Sequence, residues 1–514
     1  MKKYLILIAA AIIGLSACDI IQEDRFNVQN SSVLPGSSAA EMVENDPSFL
    51  LSYVNGMYSY MVQYNTQASS STTHDDYGFL SVCHNLELGG QTLAIGGTLN
   101  WGRYDIPHGY GSQNYAHTFH YWNFFYTLIA KANEIIDFFG EADPSNASLR
   151  GYLGQAYAIR AMCYTYLVQI YQDPVSGTTP DMVLETKRPA CPIIYATRDG
   201  KTTDEAGAKG GRNTVADIME EIERNIALAE PLLKDYTRSS KNEINYSVLK
   251  GIEARYYLFA QKWSDAADAA AEAQNGFTVI PLAKVATNGF MEVEDAEVLW
   301  GFNHSTETMT SYASFFSHVG NDSSGYGGVG QSVHCIDKAL YDQIPDTDAR
   351  KKQFNGPAGD PSAATTGAKL AYANRKFGHM ANWLQDYLYM RVEEMILIEA
   401  EAEARQNNNG VAASVLVKLM AQRDPSWGAS TVTIDDILLQ RKIELWCEGF
   451  EYFDIRRNGL GIDRKYAGSN HIAANQFTFP AHDLSWNFQI PLREIQNNNN
   501  ISEDEQNDYV DPSE

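Results

Sequence analysis

After Cys18 the chain has no apolar run long enough to span a bilayer. Cysteine is scarce, six in 514 residues. The five beyond Cys18 (Cys83, Cys163, Cys191, Cys335 and Cys447) are widely spaced, with no CxxC and no histidine at zinc-site spacing. An odd count at such separations argues against a disulfide framework, although one disulfide in an oxidising compartment stays open. Cys163 and Cys447 fall in helical patterns as small core residues. Basic side chains are outnumbered, 39 Lys and Arg against 64 Asp and Glu, and a net charge of −25 argues against nucleic acid and anionic lipid surfaces as partners. HExxH, the P-loop and GxSxG are all missing. His304, His318 and His334 match no zinc pattern and read as surface or loop histidines. The acidic group Glu292, Glu294 and Asp295 lacks the central glycine of a calcium loop. Neither metal nor cofactor is expected.

What is present begins at the N-terminus. Lys2 and Lys3 precede an apolar stretch from Tyr4 to Leu15, too short for a membrane span, and small residues follow. This pattern predicts a signal peptide over residues 1–17. Leu15-Ser16-Ala17-Cys18 resembles a bacterial lipobox, which implies that Cys18 becomes an acylated first residue held in outer-membrane lipid. Residues 18–45 are polar and aperiodic, a flexible tether that includes Glu23 and Asp24.

The remainder, 46–514, reads as one mainly α-helical domain. Apolar residues recur at one-face helical spacing over about 46–65, 117–275 and 386–449. Asp46 and Pro47 open the first helix. Asn245 to Ala273 reads as a hairpin with a turn at Lys262-Trp263-Ser264 and a small-residue seam of Ala266, Ala270 and Ala273, similar to a tetratricopeptide unit. A helix is predicted from Asp386 through Leu388, Val392, Met395 and Ala400, followed by helices near Val411–Ala421 and Ile434–Cys447. Residues 66–116 and 276–385 read as loop, with Val279-Ile280-Pro281 and Val298–Phe302 as short strands, and 450–514 as an irregular C-terminal lobe. Long loops inside an ordered chain are usually functional.

Three blocks carry a family resemblance. Tyr389 to Ala402 resembles the signature helix of the SusD/RagB family, surface lipoproteins of the Bacteroidetes. Arg441-Lys442-Ile443-Glu444-Leu445-Trp446-Cys447-Glu448-Gly449-Phe450-Glu451-Tyr452-Phe453-Asp454-Ile455-Arg456-Arg457 and Ile490-Pro491-Leu492-Arg493-Glu494 continue the match in order. Glu393, Glu399 and Glu451 depart from the residue types usual there. The resemblance implies tetratricopeptide-like hairpins under a loop-rich ligand face. It also implies a non-enzymatic role: capture of an oligosaccharide and delivery to a SusC-like TonB-dependent transporter at the cell exterior.

Two groups of side chains then acquire roles. Arg391, Glu394, Arg441, Glu444, Glu448, Asp454, Arg456 and Arg457 are charges set among apolar residues, which predicts a structural ion network because buried charges must pair. Glu444 and Glu448 as a glycosidase pair is the sharper alternative; their one-turn spacing beside Arg441 favours ion pairing. The second group is aromatic. The chain has 30 Tyr, 21 Phe and 8 Trp, many in Gly/Ser/Asn-rich stretches, and sugar rings pack their C–H faces on flat aromatics. Asn100, Trp101, Arg103 and Tyr104 lie in the region that resembles the family's ligand-contact loop, and Tyr312, Phe315, Phe316 and Tyr326 form a second candidate set. Phe315 and Phe316 are adjacent, so one of them is as readily packed inside. Trp122, Phe124, Phe125, Trp263 and Trp446 are assigned to the core. A peptide-capturing relative of the same fold and a helical-repeat adaptor stay open as competing readings.

Overall fold

The computed structural model describes residues 47–66, 74–99, 102–107, 109–139, 143–172, 184, 186–200 and 210–511. The signal segment, Cys18, the 18–45 tether and Asp46 fall outside the described residues. Helix α1 (Pro47–Tyr60) buries Leu50, Val54, Met57 and Tyr58, the one-face spacing legible in the sequence. The stretch to residue 116 is not all loop: Phe79–Glu87 forms helix α2 and Leu93–Gly96 forms strand β1. Every residue of α2 is buried, polar ones included. A helix covered on all sides carries no amphipathic period, which is why periodicity gives no sign of it.

The scaffold follows. Helix α3 (Ala116–Asp137) packs against α4 (Ala147–Tyr171), and α4 against α5 (Val215–Leu233). Asn146 caps α4 by accepting from the N–H groups of Ser148 and Leu149, and Thr214 with Asp217 forms a capping box on α5. Helices α6 (Tyr246–Phe259) and α7 (Trp263–Ala273) make the hairpin, with Asn245 capping α6. The turn falls one step earlier than the sequence suggests. Gln261 takes a left-handed φ of 58°, and Lys262 N–H reaches back to Tyr257 O at 3.0 Å, which closes α6. Ala266, Ala270 and Ala273 are fully buried in the seam.

Short strands hold the loops to this scaffold. With β1, strands β2 (Val298–Phe302), β3 (Val333–Ile336) and β4 (Tyr387–Arg391) form two antiparallel pairs. Leu93 of β1 lies opposite Ile336 of β3, and Phe302 of β2 lies opposite Tyr387 of β4, with a bulge between. The predicted helix from Asp386 is therefore wrong over its first turn. Leu388, Val392 and Met395 fit a helical period, but Tyr387–Arg391 pairs with the fully buried β2, and pairing overrides local spacing. Val279–Pro281 is not a strand. Helix α8 (Val392–Arg405) follows β4 directly, then α9 (Asn409–Met420), α10 (Ile434–Glu444) and α11 (Glu451–Arg457). Trp122, Phe124, Phe125 and Trp446 are buried, whereas Trp263 is half-buried with the Arg405 guanidinium over its ring. The five described cysteines are buried and free.

The charged residues of β4, α8, α10 and α11 meet inside. Arg391 forks onto Glu448 (2.8 and 2.9 Å) and reaches Glu393 at 2.9 Å and Glu444 at 3.4 Å. Arg423 forks onto Glu444 (2.8 and 3.0 Å) and touches Glu393 at 3.0 Å. Arg350 joins at 3.3 Å from Glu444, and Lys376 donates to Glu448 at 2.6 Å. Burial alone would raise the Glu444 pKa, but Arg423, Arg391 and Arg350 hold it well below the usual carboxylate range. A second group joins Arg441 to Asp454 at 2.8 Å and Arg457 to both Asp454 and Glu401. Glu394 meets Arg255, a partner from α6. Arg456 departs from the expected pairing: it donates to Gln169 O and to the Tyr452 hydroxyl, neutral acceptors at the edge of the group. Removing one partner strands the other charges in the interior. Arg423→Ala is expected to lower the unfolding free energy of the chain beginning after Cys18 by about 3–5 kcal/mol in urea titration. Arg456→Ala should cost only about 1 kcal/mol.

Candidate functional site

Four segments from two distant parts of the chain converge. The first contributes Tyr64 and His74, and the second is the single helical turn Gly102–Asp105. The third is the loop around Tyr312 with the short helix Phe315–Val319, and the fourth is the glycine-rich loop carrying Tyr326. Their rings form a continuous aromatic row in which Tyr104 and Tyr326 are buried, Tyr64 and His74 half-buried, and Tyr312 exposed. Tyr312 stands outermost at 56% exposure, its centroid 6.1 Å from that of Tyr326. Tyr326 meets Tyr104 edge-on at 6.1 Å, and Tyr104 stacks on His74 at 6.4 Å. Tyr64 continues the row 6.3 Å from His74.

Hydrogen bonds fix this row. His74 Nδ1 lies 2.5 Å from the Tyr326 hydroxyl, and His74 N–H donates to the Tyr104 hydroxyl. Beneath, His318 stacks under Tyr326 at 4.9 Å and donates from Nε2 to His74 O at 2.9 Å. His318 and His334 are thus buried, not surface residues as the sequence suggested. His334 extends the arrangement inward. Its Nδ1 faces Ser332 O at 3.0 Å, and a carbonyl only accepts, so Nδ1 carries the proton and Nε2 of the neutral ring accepts from His84 Nε2 at 2.7 Å. His84 Nδ1 then accepts from the Tyr77 hydroxyl at 2.8 Å. One carbonyl therefore fixes the protons of the whole chain.

Acidic groups sit behind the surface. Asp75 bonds His117 at 2.8 Å and Asp76 bonds His120 at 3.1 Å. Burial pushes the Asp105 carboxyl up to about 7, against a lowering contact with Ser332.

The predicted residues divide as follows. Tyr104, Tyr312 and Tyr326 come together. Phe315 and Phe316 are buried under them, because Phe315 packs edge-on to Phe377 at 5.0 Å and its N–H donates to the Tyr387 hydroxyl. Tyr104 and Tyr326 are buried nearly as fully, which leaves Tyr312 as the exposed ring of the predicted set among the described residues. Asn100 and Trp101 lie outside the described residues, and Arg103 is described only as part of its helical turn. His74, Tyr64 and His318 escaped sequence reasoning. The run His74-Asp75-Asp76 within a Ser/Thr-rich stretch was the available signal. Glu444 and Glu448, held by arginines and Lys376, are placed for ion pairing and not as a separated acid and nucleophile.

Comparison with known proteins gives a consistent result. A family model described as "Starch-binding associating with outer membrane" matches residues 34–258, and one described as "SusD family" matches residues 342–509. No curated protein matches the sequence. Among solved structures, a SusD-like carbohydrate binding protein from Bacteroides vulgatus ATCC 8482 superposes with a TM-score of 0.72 at 21% identity, covering 90% of this chain and 98% of that one. A SusD superfamily protein from Bacteroides thetaiotaomicron VPI-5482 gives 0.69 at 19% identity, with 90% and 99% covered. Surface glycan-binding protein A from Bacteroides uniformis gives 0.61 at 16% identity, with 88% and 98% covered.

The histidine chain makes a pH prediction. Burial depresses His318 to about 4 and His334 to about 3, and it lowers His84 as well. Unfolded histidines titrate near 6.5, so between these values the unfolded chain binds more protons than the folded one. Their contribution is therefore full above about pH 6.5 and is lost as the pH falls toward about 4. Urea midpoints should drop across that window. His334→Gln, which keeps an acceptor for His84, should flatten the drop.

Proposed function

The chain belongs to the SusD/RagB family, and from that premise we propose that it is a glycan-capturing lipoprotein of the cell exterior. The observation that carries this reading is the convergence of Tyr104, Tyr312 and Tyr326 with His74 into one aromatic row that reaches solvent at the exposed Tyr312 ring. Flat rings take the C–H faces of sugars, and tyrosine hydroxyls take their hydroxyl groups. Asn100, Trp101 and Arg103, neighbours of Tyr104 in the sequence, are the further ligand contacts in this reading. Acylated Cys18 holds the protein in outer-membrane lipid, residues 18–45 act as the tether, and 46–514 function as one SusD-like domain. Captured oligosaccharide passes to a SusC-like TonB-dependent transporter, against which the domain closes. The chain acts as a binder and carries out no chemistry on the glycan, which the engagement of Glu444 and Glu448 by arginines supports.

Calorimetric titration of the chain beginning after Cys18, against plant, host and microbial glycans and a peptide digest, tests this. One glycan class should bind saturably. Tyr312→Ala and Trp101→Ala should each weaken it by about tenfold, the loss of roughly 1.4 kcal/mol of stacking, with the melting temperature unchanged. Heat from the peptide digest alone would assign the site to peptides.

A further inference from the structure

A second aromatic feature stands beside the first, on the loop that enters β4. Trp383 is half-buried and holds a left-handed backbone with φ of 59°. A bulky residue rarely adopts that conformation, and its cost is borne only where the surroundings fix it. Here both ends of the loop are pinned. Gly378 N–H donates to Gly289 O at 2.9 Å, and Asp386 N–H donates to Met291 O at 2.9 Å. Gly378 lies against Met291 so tightly that a Cβ there would meet its sulfur at 2.8 Å. Asp386 is itself locked by the N–H groups of Val293 and His304. Within the loop, Trp383 N–H closes a turn onto Met380 O at 3.0 Å. The indole is presented on a rigid mount.

The loop also supplies pointed donors. The Trp383 ring stands edge-on to His379, centroids 4.6 Å apart. The buried Gln385 amide donates to His379 Nδ1 at 3.1 Å, so the proton of the neutral imidazole is on Nε2. Partial burial favours that neutral form. Neither this Nε2–H nor the indole N–H has a protein partner among the described residues. A flat face flanked by two donors open to solvent is the chemistry that receives a sugar ring with its hydroxyl oxygens. The position is equally specific. Gly378 O approaches Gly320 closely, 3.3 Å from where a Cβ on it would sit, and Asp322 acts electrostatically on His379. Both Gly320 and Asp322 belong to the loop that leads to Tyr326.

We propose that Trp383 and His379 form a second saccharide subsite beside the Tyr312–Tyr326 end of the aromatic row, so that the ligand is a chain of several sugar units gripped at two places. This rests on the glycan reading above. The distinguishing property is chain length. Starch, xylan, galactomannan and yeast mannan would be screened by affinity gel electrophoresis, and the oligosaccharide series of the retained polysaccharide titrated calorimetrically. Wild-type affinity should rise tenfold or more from the shortest to the longest oligosaccharide. Trp383→Ala should abolish that rise and leave the shortest ligands within twofold, whereas Trp383→Phe, which keeps a flat face, should retain most of it. His379→Ala, a milder change on the same mount, should cut the rise if Trp383→Ala fails to fold. Unchanged binding of every length by Trp383→Ala, with Tyr312→Ala weak throughout, would overturn the second subsite and leave the first standing. Retention of none of the four polysaccharides by the wild type would overturn the glycan reading and the subsite together.

Discussion

Glu444 is the anchor of this structure. It is almost fully buried, and three guanidinium groups from separate parts of the chain (Arg350, Arg391 and Arg423) converge on it. Each ion pays a large desolvation cost that only mutual pairing offsets, so the positions of β4, α10 and the segments between them are specified together. The turn that follows α10 inherits this order. Its Cys447 and Gly449 N–H groups donate to Glu87 of α2, and Glu451 accepts from Thr92 just before β1. Helix α2 carries His84, and His84 meets His334 under the aromatic surface. Hydrogen bonds, short stretches of backbone and the ring contacts of His318 with His84 and Tyr326 therefore link the C-terminal ion network to the aromatic row.

The three glutamates that depart from the family's usual residues illustrate how such a network absorbs change. Glu393 gains Arg391, Arg423 and the Ile280 N–H. Glu399 gains Lys418 and Gln274 at the margin of α8. Glu451 satisfies Thr92. In every case the added carboxylate has found donors that a neutral residue would leave without it. The helical scaffold contributes rigidity and the loops contribute chemistry, a division common to proteins that present binding residues on connecting segments.

The scaffold was legible because amphipathic helices and their caps write themselves locally. Asn245, Thr214 and the alanines of α7 mark where helices start and how closely they pack. Helix α2 and strand β4 were not legible in that way. The first is buried on all sides and has no period, and the second is a strand only because β2 lies beside it. The site was half legible. Tyr104, Tyr312 and Tyr326 stood out as loop aromatics, and so did Phe315 and Phe316, yet of the five only Tyr312 is exposed; the others are packed against neighbouring rings. His74 and His318 gave no sign, since a histidine that positions a tyrosine is indistinguishable in sequence from a solvated one.

The face is assembled from residues remote along the chain: His74 and Tyr326 are 252 positions apart, and His84 and His334 are 250 apart. The hairpin of α6 and α7, by contrast, closes over a three-residue turn. Closing long segments costs conformational entropy before any contact repays it, so local hairpins form early and distant pairings late. Order of assembly thus follows from topology. A nascent or clipped chain can hold much of its helical frame and still have no aromatic face, which makes recognition the last property to appear on folding and the first to vanish on truncation.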